Sequence, residues 1–402
     1  MPNFDSPLIY LDSSDFSSLS TALPGTELAK IKQQLIELSG SSRVRFVFSG
    51  VHLSEMSPLK PGHATSAAEA RADLLVDLCG RRTMLCFDRL MKLELDALAE
   101  RKPVSTSVVS ENGEWYPEWD ENLINPVEWV ETWKSFAEAA KLKGINRATR
   151  RNMKSRVTRK GKPTAEVQAL LVENEESMDY QMLVQQFPMR LSDAQVLGKF
   201  LVGAATQDEA NEALLESLRD PRWMMRWFAT HAENMSALTE WLRGPAAQMT
   251  NISVGLAKTA LHMQGLKKEL GDKFRSELKF LDSWHASQDD FVCSAVGRIQ
   301  SHFKSAESSR PVVASEVSEL CPGISTFFRT AHSSAGASVT AHPRKPKDSD
   351  FVDAVHAMYA PYVDIFRTDR FMAPHIKAHA PPTTRVVGKL KDLIGLISDR
   401  IT

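Results

Sequence analysis

The fold is decided late in the chain, in DSDFVDAVHAMYAPYVDIFRTD, Asp348 to Asp369. Asp348 or Ser349 suits an N-cap, and Pro361 cannot continue a helix, so the segment between them reads as one short helix. Val363, Ile365 and Phe366 then form an apolar, β-prone run that ends at Thr368 and Asp369. Asp350 and Asp353, three residues apart, share a face in the first helical turn. Asp369 falls at the carboxyl end of the strand, the edge at which open α/β sheets bind ligands. Carboxylates gathered in one place repel one another unless a cation neutralises them, and a hard divalent cation with oxygen ligands matches that chemistry. Acids in a first helical turn also favour the helix dipole with no further role. The stretch therefore needs partners elsewhere in the chain.

The first hundred residues supply them. Leu8-Ile9-Tyr10-Leu11 reads as a buried strand ending at Asp12, and Glu27–Leu38 has a helical period stopped by Gly40. Val44–Phe48 is a second strand, followed at once by Ser49-Gly50-Val51-His52-Leu53-Ser54-Glu55. Ala64–Leu78 and Arg89–Ala99 read as helices, with Met84–Phe87 a short strand or turn between them. This β-α-β-α alternation is the pattern of a parallel sheet with covering helices. Asp12 and Glu55 lie just past strand ends, as Asp369 does. The expectation is that Asp12, Glu55, Asp350 or Asp353, and Asp369 meet at one edge of one sheet.

A chain of 402 residues has room for two domains, or for one domain with a large insertion. Its 43% hydrophobic and 25% charged residues are those of a globular protein, and a net charge of −1 leaves only a local patch to attract nucleic acid. The four cysteines, Cys79, Cys86, Cys293 and Cys321, lack CxxC spacing; a zinc site is not expected and a reducing, cytoplasmic setting is. No signal peptide and no membrane-spanning run are read, so no membrane partner is expected.

The acidic motifs together resemble the PIN-like domain nucleases. The residues that carry the likeness are the strand-end aspartate in IYLDSSDFSSL, the glutamate in FVFSGVHLSEM, and the block SDFVDAVHAMYAPYVDIFRTDRFM. The resemblance implies a PIN-like parallel sheet flanked by helices, formed by residues 1–100 and 340–402. It also implies Mg²⁺ or Mn²⁺ bound for phosphodiester hydrolysis. Asp12, Glu55, Asp353 and Asp369 match the four motif positions as metal ligands, with Asp350 competing with Asp353 for the third. Four acids suit this work, because one metal acidifies a bound water and a second, about 3.5–4 Å away, steadies the leaving oxygen. Ser13 and Ser49 are read as supporting hydroxyls, or as caps and turn residues.

The middle departs from a compact PIN domain. Residues 101–125 read as a connector and 126–339 as a mostly α-helical insertion, with helices expected at Ser192–Ala205, Asp208–Leu218, Trp223–His231 and Phe291–Phe303, among others. Trp115, Trp119, Trp129 and Trp133 are read as core packing rather than as a platform for stacking bases. Residues 141–162 hold ten basic side chains and no acid: Lys141, Lys143, Arg147, Arg150, Arg151, Lys154, Arg156, Arg159, Lys160 and Lys162. They read as a phosphate-binding arm. Arg226 and His231, four residues between them, resemble the short signature of the metal-free HEPN ribonucleases, although a Trp follows the Arg where that family carries a polar residue.

The expected function is a metal-dependent nuclease acting on RNA in preference to DNA. A toxin with a protein antitoxin, an antiviral defence effector and an RNA-processing enzyme would share these residues. A non-catalytic PIN-like scaffold, with the helical part as its binding surface, is the expectation from another class. Metal-free cleavage through Arg226 and His231 is a third.

Overall fold

A computed structural model of the chain describes residues 6–57, 65–117, 187–201, 204–231, 286–302, 311–337, 344–347 and 349–401, with isolated or short pieces at 141, 146–149, 158–159, 162–165, 169, 180, 184, 251, 254–255, 258, 262 and 284. In chain order its strands are β1 (Leu8–Tyr10), β2 (Arg45–Val47), β3 (Thr83–Met84), β4 (Val109–Ser110), β5 (Thr158–Arg159), β6 (Lys162–Pro163), β7 (Ile365–Arg367) and β8 (Arg385–Val387). The protein is mixed α/β. A four-stranded parallel sheet in the order β2-β1-β7-β8 is flanked by helices.

The sheet forms where uninterrupted apolar runs are covered on both faces, as parallel strands require. Leu8, Ile9 and Tyr10 are all buried, and so are Phe46, Val47, Ile365 and Phe366. Ile9 pairs with Phe46 on one side and Ile365 on the other. Tyr10 lies beside Phe366 with their rings stacked 5.1 Å apart, a cross-strand pair in the middle of the sheet. The helix Glu27–Gly40 is capped by Thr26 and buries Ile31 and Leu35; the last helix, Leu390–Ile401, buries Leu393 and Ile397. Asp364, at the amino end of β7, accepts from the Leu8 amide at 2.8 Å and pairs with Arg400 at 2.9 Å, tying that last helix to the sheet.

Strand order places the candidate acids. β1 has β2 on one side and β7 on the other, so the chain reverses its direction of progress across the sheet at β1. The carboxyl ends on either side of that switch are where open parallel sheets form a crevice. Asp12 follows β1 and Asp369 follows β7 there.

The chain divides into two compact units, one of residues 1–117 and 225–402, the other of residues 118–224. The helices Gln288–His302, Ala314–Leu320 and Pro322–Gly336, assigned on sequence to the insertion at 126–339, pack within the first unit together with the sheet. Amphipathic periodicity shows only that a helix buries one face, not which partner covers it. The segment 101–125, expected as a connector, holds β4, which pairs antiparallel with β3, and Phe87 opens the helix Phe87–Glu100 instead of closing a strand. In the second unit the helices Leu191–Leu201 and Gln207–Leu218 pack together, and β5 and β6 form a hairpin within the basic segment. The helices expected at Ala165–Leu171, Met235–Leu242, Val254–Leu270 and Phe274–Trp284 lie wholly or mostly outside the described residues, as do Trp119, Trp129 and Trp133; Trp115 is buried. Among the described residues no helix is long and apolar enough to cross a membrane.

One buried acid joins three distant stretches of the first unit. Glu94 is fully buried; its carboxylate accepts from the amides of Gly323 at 2.6 Å and Ile324 at 2.7 Å and from the Tyr362 hydroxyl. It satisfies the open amides at the start of the helix Pro322–Gly336 and favours that helix's dipole. A Cβ on Gly323 would lie 2.7 Å from Glu94 Oε1 and 2.8 Å from the Met358 carbonyl oxygen. Gly323→Ala should therefore cost about 1–3 kcal/mol by overpacking, read as a lower urea midpoint with an unchanged slope. A midpoint at the wild-type value would contradict this packing.

Candidate active site

Asp12 is the N-cap of the helix Ser13–Ser20: it accepts from the Ser14 amide at 2.7 Å, and Asp15 returns the bond to the Asp12 amide at 3.1 Å. Asp369 accepts from the Met372 amide at 2.6 Å and starts the helix Met372–Lys377. These caps do not remove the acids from the edge; they fix where the carboxylates sit. Glu55 lies on the short helix Gly50–Met56 and is held by side chains from two other elements. Ser13 donates to its Oε2 at 2.6 Å, and His356 Nε2 lies 2.8 Å from the same oxygen. Burial pushes Glu55 upward, but the His356 bond and charge and the Ser13 hydroxyl outweigh it, leaving Glu55 below the ordinary glutamate value.

Asp350 and Asp353 differ in their neighbours. Arg344 clasps Asp350 with both terminal nitrogens, at 2.6 and 2.8 Å, and the Lys347 amide adds a third bond at 3.0 Å. The guanidinium also lies over the Phe371 ring at 3.6 Å. Asp350 is thus neutralised by a bidentate partner. Asp353 has no hydrogen bond among the described residues. Burial first, then the charges of Asp12, Glu55, Asp369 and Asp350, drive its carboxyl well above the ordinary aspartate value. Asp353 thus lies within electrostatic reach of Asp12, Glu55 and Asp369, and Asp350 beside it is occupied by Arg344.

Asp12, Glu55 and Asp369 each engage one carboxylate oxygen in these bonds, and the other oxygen makes none that is described. Oriented carboxylates with free oxygens are the donors a hard divalent cation takes, so the chemistry of the set fits Mg²⁺ or Mn²⁺. They are not drawn into a cage: among the described residues no group of three or more His, Cys, Asp or Glu is arranged to hold a metal ion as the side chains stand. Like charges keep carboxylates apart unless a cation bridges them.

Several contributors carry no strong sequence signal. Asp15 is buried and pairs with Arg367 at 2.7 Å; burial, opposed by Arg367 and aided by Asp12, raises its carboxyl to about 7. Because Asp15 also bonds the Asp12 amide, this pair links the end of β1 to the end of β7. His356 Nδ1 is bonded to the buried Tyr10 hydroxyl, which also meets Ser49 Oγ at 2.7 Å. His52 accepts from the Ser49 amide at 3.0 Å and donates from Nε2 to the Leu11 carbonyl at 2.8 Å; burial and the nearby His356 lower it to about 3, so it stays neutral. Ser13 Oγ lies 3.5 Å from His356 Nε2, but Glu55 shares that same nitrogen. In a serine triad the acid holds the opposite ring nitrogen, so these three residues do not form one.

Of the basic segment, Lys141 and Arg147 are exposed and Arg159 and Lys162 lie in the β5–β6 hairpin; Lys143, Arg150, Arg151, Lys154, Arg156 and Lys160 lie outside the described residues. Arg226 pairs with Glu69 at 3.5 Å, and His231 is stacked on Trp227 with Nδ1 close to the Thr230 hydroxyl and the Trp227 carbonyl of its own turn. Comparisons of the chain with protein-family models, curated proteins and solved structures find no match.

Proposed function

We propose that the protein is a divalent-metal-dependent nuclease with a PIN-like sheet, hydrolysing phosphodiester bonds in RNA. One observation carries the reading: the charges of Asp12, Glu55 and Asp369 converge on the unbonded carboxylate of Asp353 at the switch point of a parallel sheet. Arg344 is bonded to Asp350 and its charge also reaches Asp369 and Asp353, while Arg367 is paired with Asp15; no side chain among the described residues bonds Asp353 itself. Asp12, Glu55, Asp353 and Asp369 would hold Mg²⁺ or Mn²⁺. When bound, the metal supplies an acidified water and neutralises charge developing on the phosphate. The chain's own part is orientation. Backbone amides set Asp12 and Asp369, Ser13 and His356 set Glu55, and the buried Asp15–Arg367 pair holds the ends of β1 and β7 together. The basic segment 141–162 would contact the phosphates of the strand.

The test is cleavage of labelled RNA and single-stranded DNA with Mn²⁺ or Mg²⁺. RNA should be cut, EDTA should stop the reaction, and Asp12→Asn should lower kcat/KM at least about 100-fold, since even outer contacts to a metal site cost 10–100-fold. Cleavage that survives both EDTA and the substitution would refute the assignment. If that cleavage is lost in His231→Ala, the chemistry is the metal-free kind. A protein that neither binds Mn²⁺ nor cuts RNA would be the scaffold.

A further inference from the structure

Glu55 has the longest side chain of the four acids. It has three side-chain torsions, and its carboxylate is held by no backbone amide among the described residues, unlike Asp12 and Asp369. Its two partners come from the start of the helix Ser13–Ser20 and from the helix Ser349–Ala357. His356 is the more rigid of them. It is 5% exposed, and both ring nitrogens are engaged, Nε2 by Glu55 and Nδ1 by Tyr10. Its ring also packs edge-on to His52 at 4.8 Å and to Tyr10 at 5.6 Å.

The chain of bonds behind His356 is continuous and buried. Ser49 Oγ meets the Tyr10 hydroxyl, Tyr10 meets His356 Nδ1, and the Ser49 amide donates to His52, itself anchored on the Leu11 carbonyl. With His356 Nε2 donating to the Glu55 carboxylate, Nδ1 accepts from Tyr10, and Tyr10 in turn accepts from Ser49. Every donor and acceptor then has a role, and β1 and the residues after β2 set the direction of the imidazole. Asp353 and His356 are three apart on one helix, so the ring shares a face with the central acid of the site.

We infer that His356, locked by Tyr10 and Ser49, is the positioning residue that aims the Glu55 carboxylate into the metal site. The inference rests on the proposed nuclease reading. It makes His356 an outer contact of the kind that fixes the orientation and basicity of a metal-ligating carboxylate. A His–Glu pair that only stabilised the fold would leave metal affinity and rate untouched once the protein is folded.

The decisive measurement is Mn²⁺ binding to the full chain by calorimetry, with RNA cleavage resolved into kcat and KM and with thermal melts as a control on folding. His356→Ala should weaken Mn²⁺ binding about 10–100-fold and lower kcat with little change in KM. His356→Gln, whose amide nitrogen reaches the same carboxylate oxygen, should restore most of the affinity. Tyr10→Phe keeps the ring stacks while removing the hydroxyl that holds Nδ1; it should weaken Mn²⁺ a few-fold and serves if His356→Ala fails to fold. Wild-type Mn²⁺ binding with His356→Ala and Tyr10→Phe both within twofold of it would overturn the positioning role alone. No Mn²⁺ binding by the wild type would overturn the nuclease reading and this inference with it.

Discussion

Replacing Asp353 with asparagine should abolish metal-dependent cleavage and at the same time make the metal-free protein more stable. Both effects have one cause. Asp353 is half-buried without a hydrogen bond among the described residues and faces the charges of Asp12, Glu55, Asp369 and Asp350, so its ionised form is disfavoured in the folded state. Asparagine has nearly the same shape and no charge. It removes the repulsion, and with it the central carboxylate for a cation. The loss of kcat/KM should reach about 100-fold or more, and the gain in Tm should be a few degrees, at about 2–4 °C per kcal/mol for a domain of this size. The pH dependence has a definite sign. A carboxyl whose folded pKa lies above its unfolded value contributes stability that is complete below the unfolded value and lost as pH rises through the folded one. The advantage of Asp353→Asn over wild type in EDTA should therefore be near zero below about pH 4 and grow toward neutral pH. A variant less stable than wild type at pH 7, or one that still cleaves at the wild-type rate, would refute this account. Asp350→Asn gives the contrast. It breaks the Arg344 clasp and should lower stability while lowering activity far less.

The second large effect lies away from the acidic edge. Glu94→Ala should destabilise the fold by roughly 3–5 kcal/mol, because it leaves the Gly323 and Ile324 amides and the Tyr362 hydroxyl without their acceptor in a site closed to water. Burial raises the Glu94 carboxyl to about 7 against the pull of Tyr362 and the two amides. Its ionised form thus costs stability as pH climbs from about 4.5 through about 7. Glu94→Gln keeps one acceptor and cannot ionise. Relative to wild type it should lose stability at pH 5, and the deficit should shrink by pH 8. Urea titrations of the three proteins at both pH values test this; Glu94→Ala within about 1 kcal/mol of wild type would show that the clamp contributes little.

Much of the architecture was legible along the chain. Apolar runs at Leu8–Leu11, Val44–Phe48 and Val363–Phe366 are strands because nothing polar interrupts them for long, and their carboxyl ends carry Asp12, the Glu55 helix and Asp369 as expected. Gly40 ends the helix Glu27–Gly40, whereas the helix Ser349–Ala357 stops before Pro361, which lies in the 3-10 turn Ala360–Tyr362. Unit membership was not legible, since the helices after Gln288 have the same periodicity whether they cover this sheet or another surface. Glu94 had a faint signal, an acid on the apolar stripe of Leu90 and Leu98, although the amides that donate to it lie over 200 residues away. His356 had only its spacing from Asp353.

By itself the sequence determined local matters: most of the segments that form the parallel strands and their helices, and that Asp12, Glu55 and Asp369 follow strands. These depend on side-chain shape and on bonds within a few residues. The tertiary structure alone decided that Asp350 belongs to Arg344 while Asp353 stands without a hydrogen bond among the described residues, and that Glu55 is met by a histidine 301 residues away. Charge and desolvation act through space, and the distances that set their size exist only once the strands have aligned.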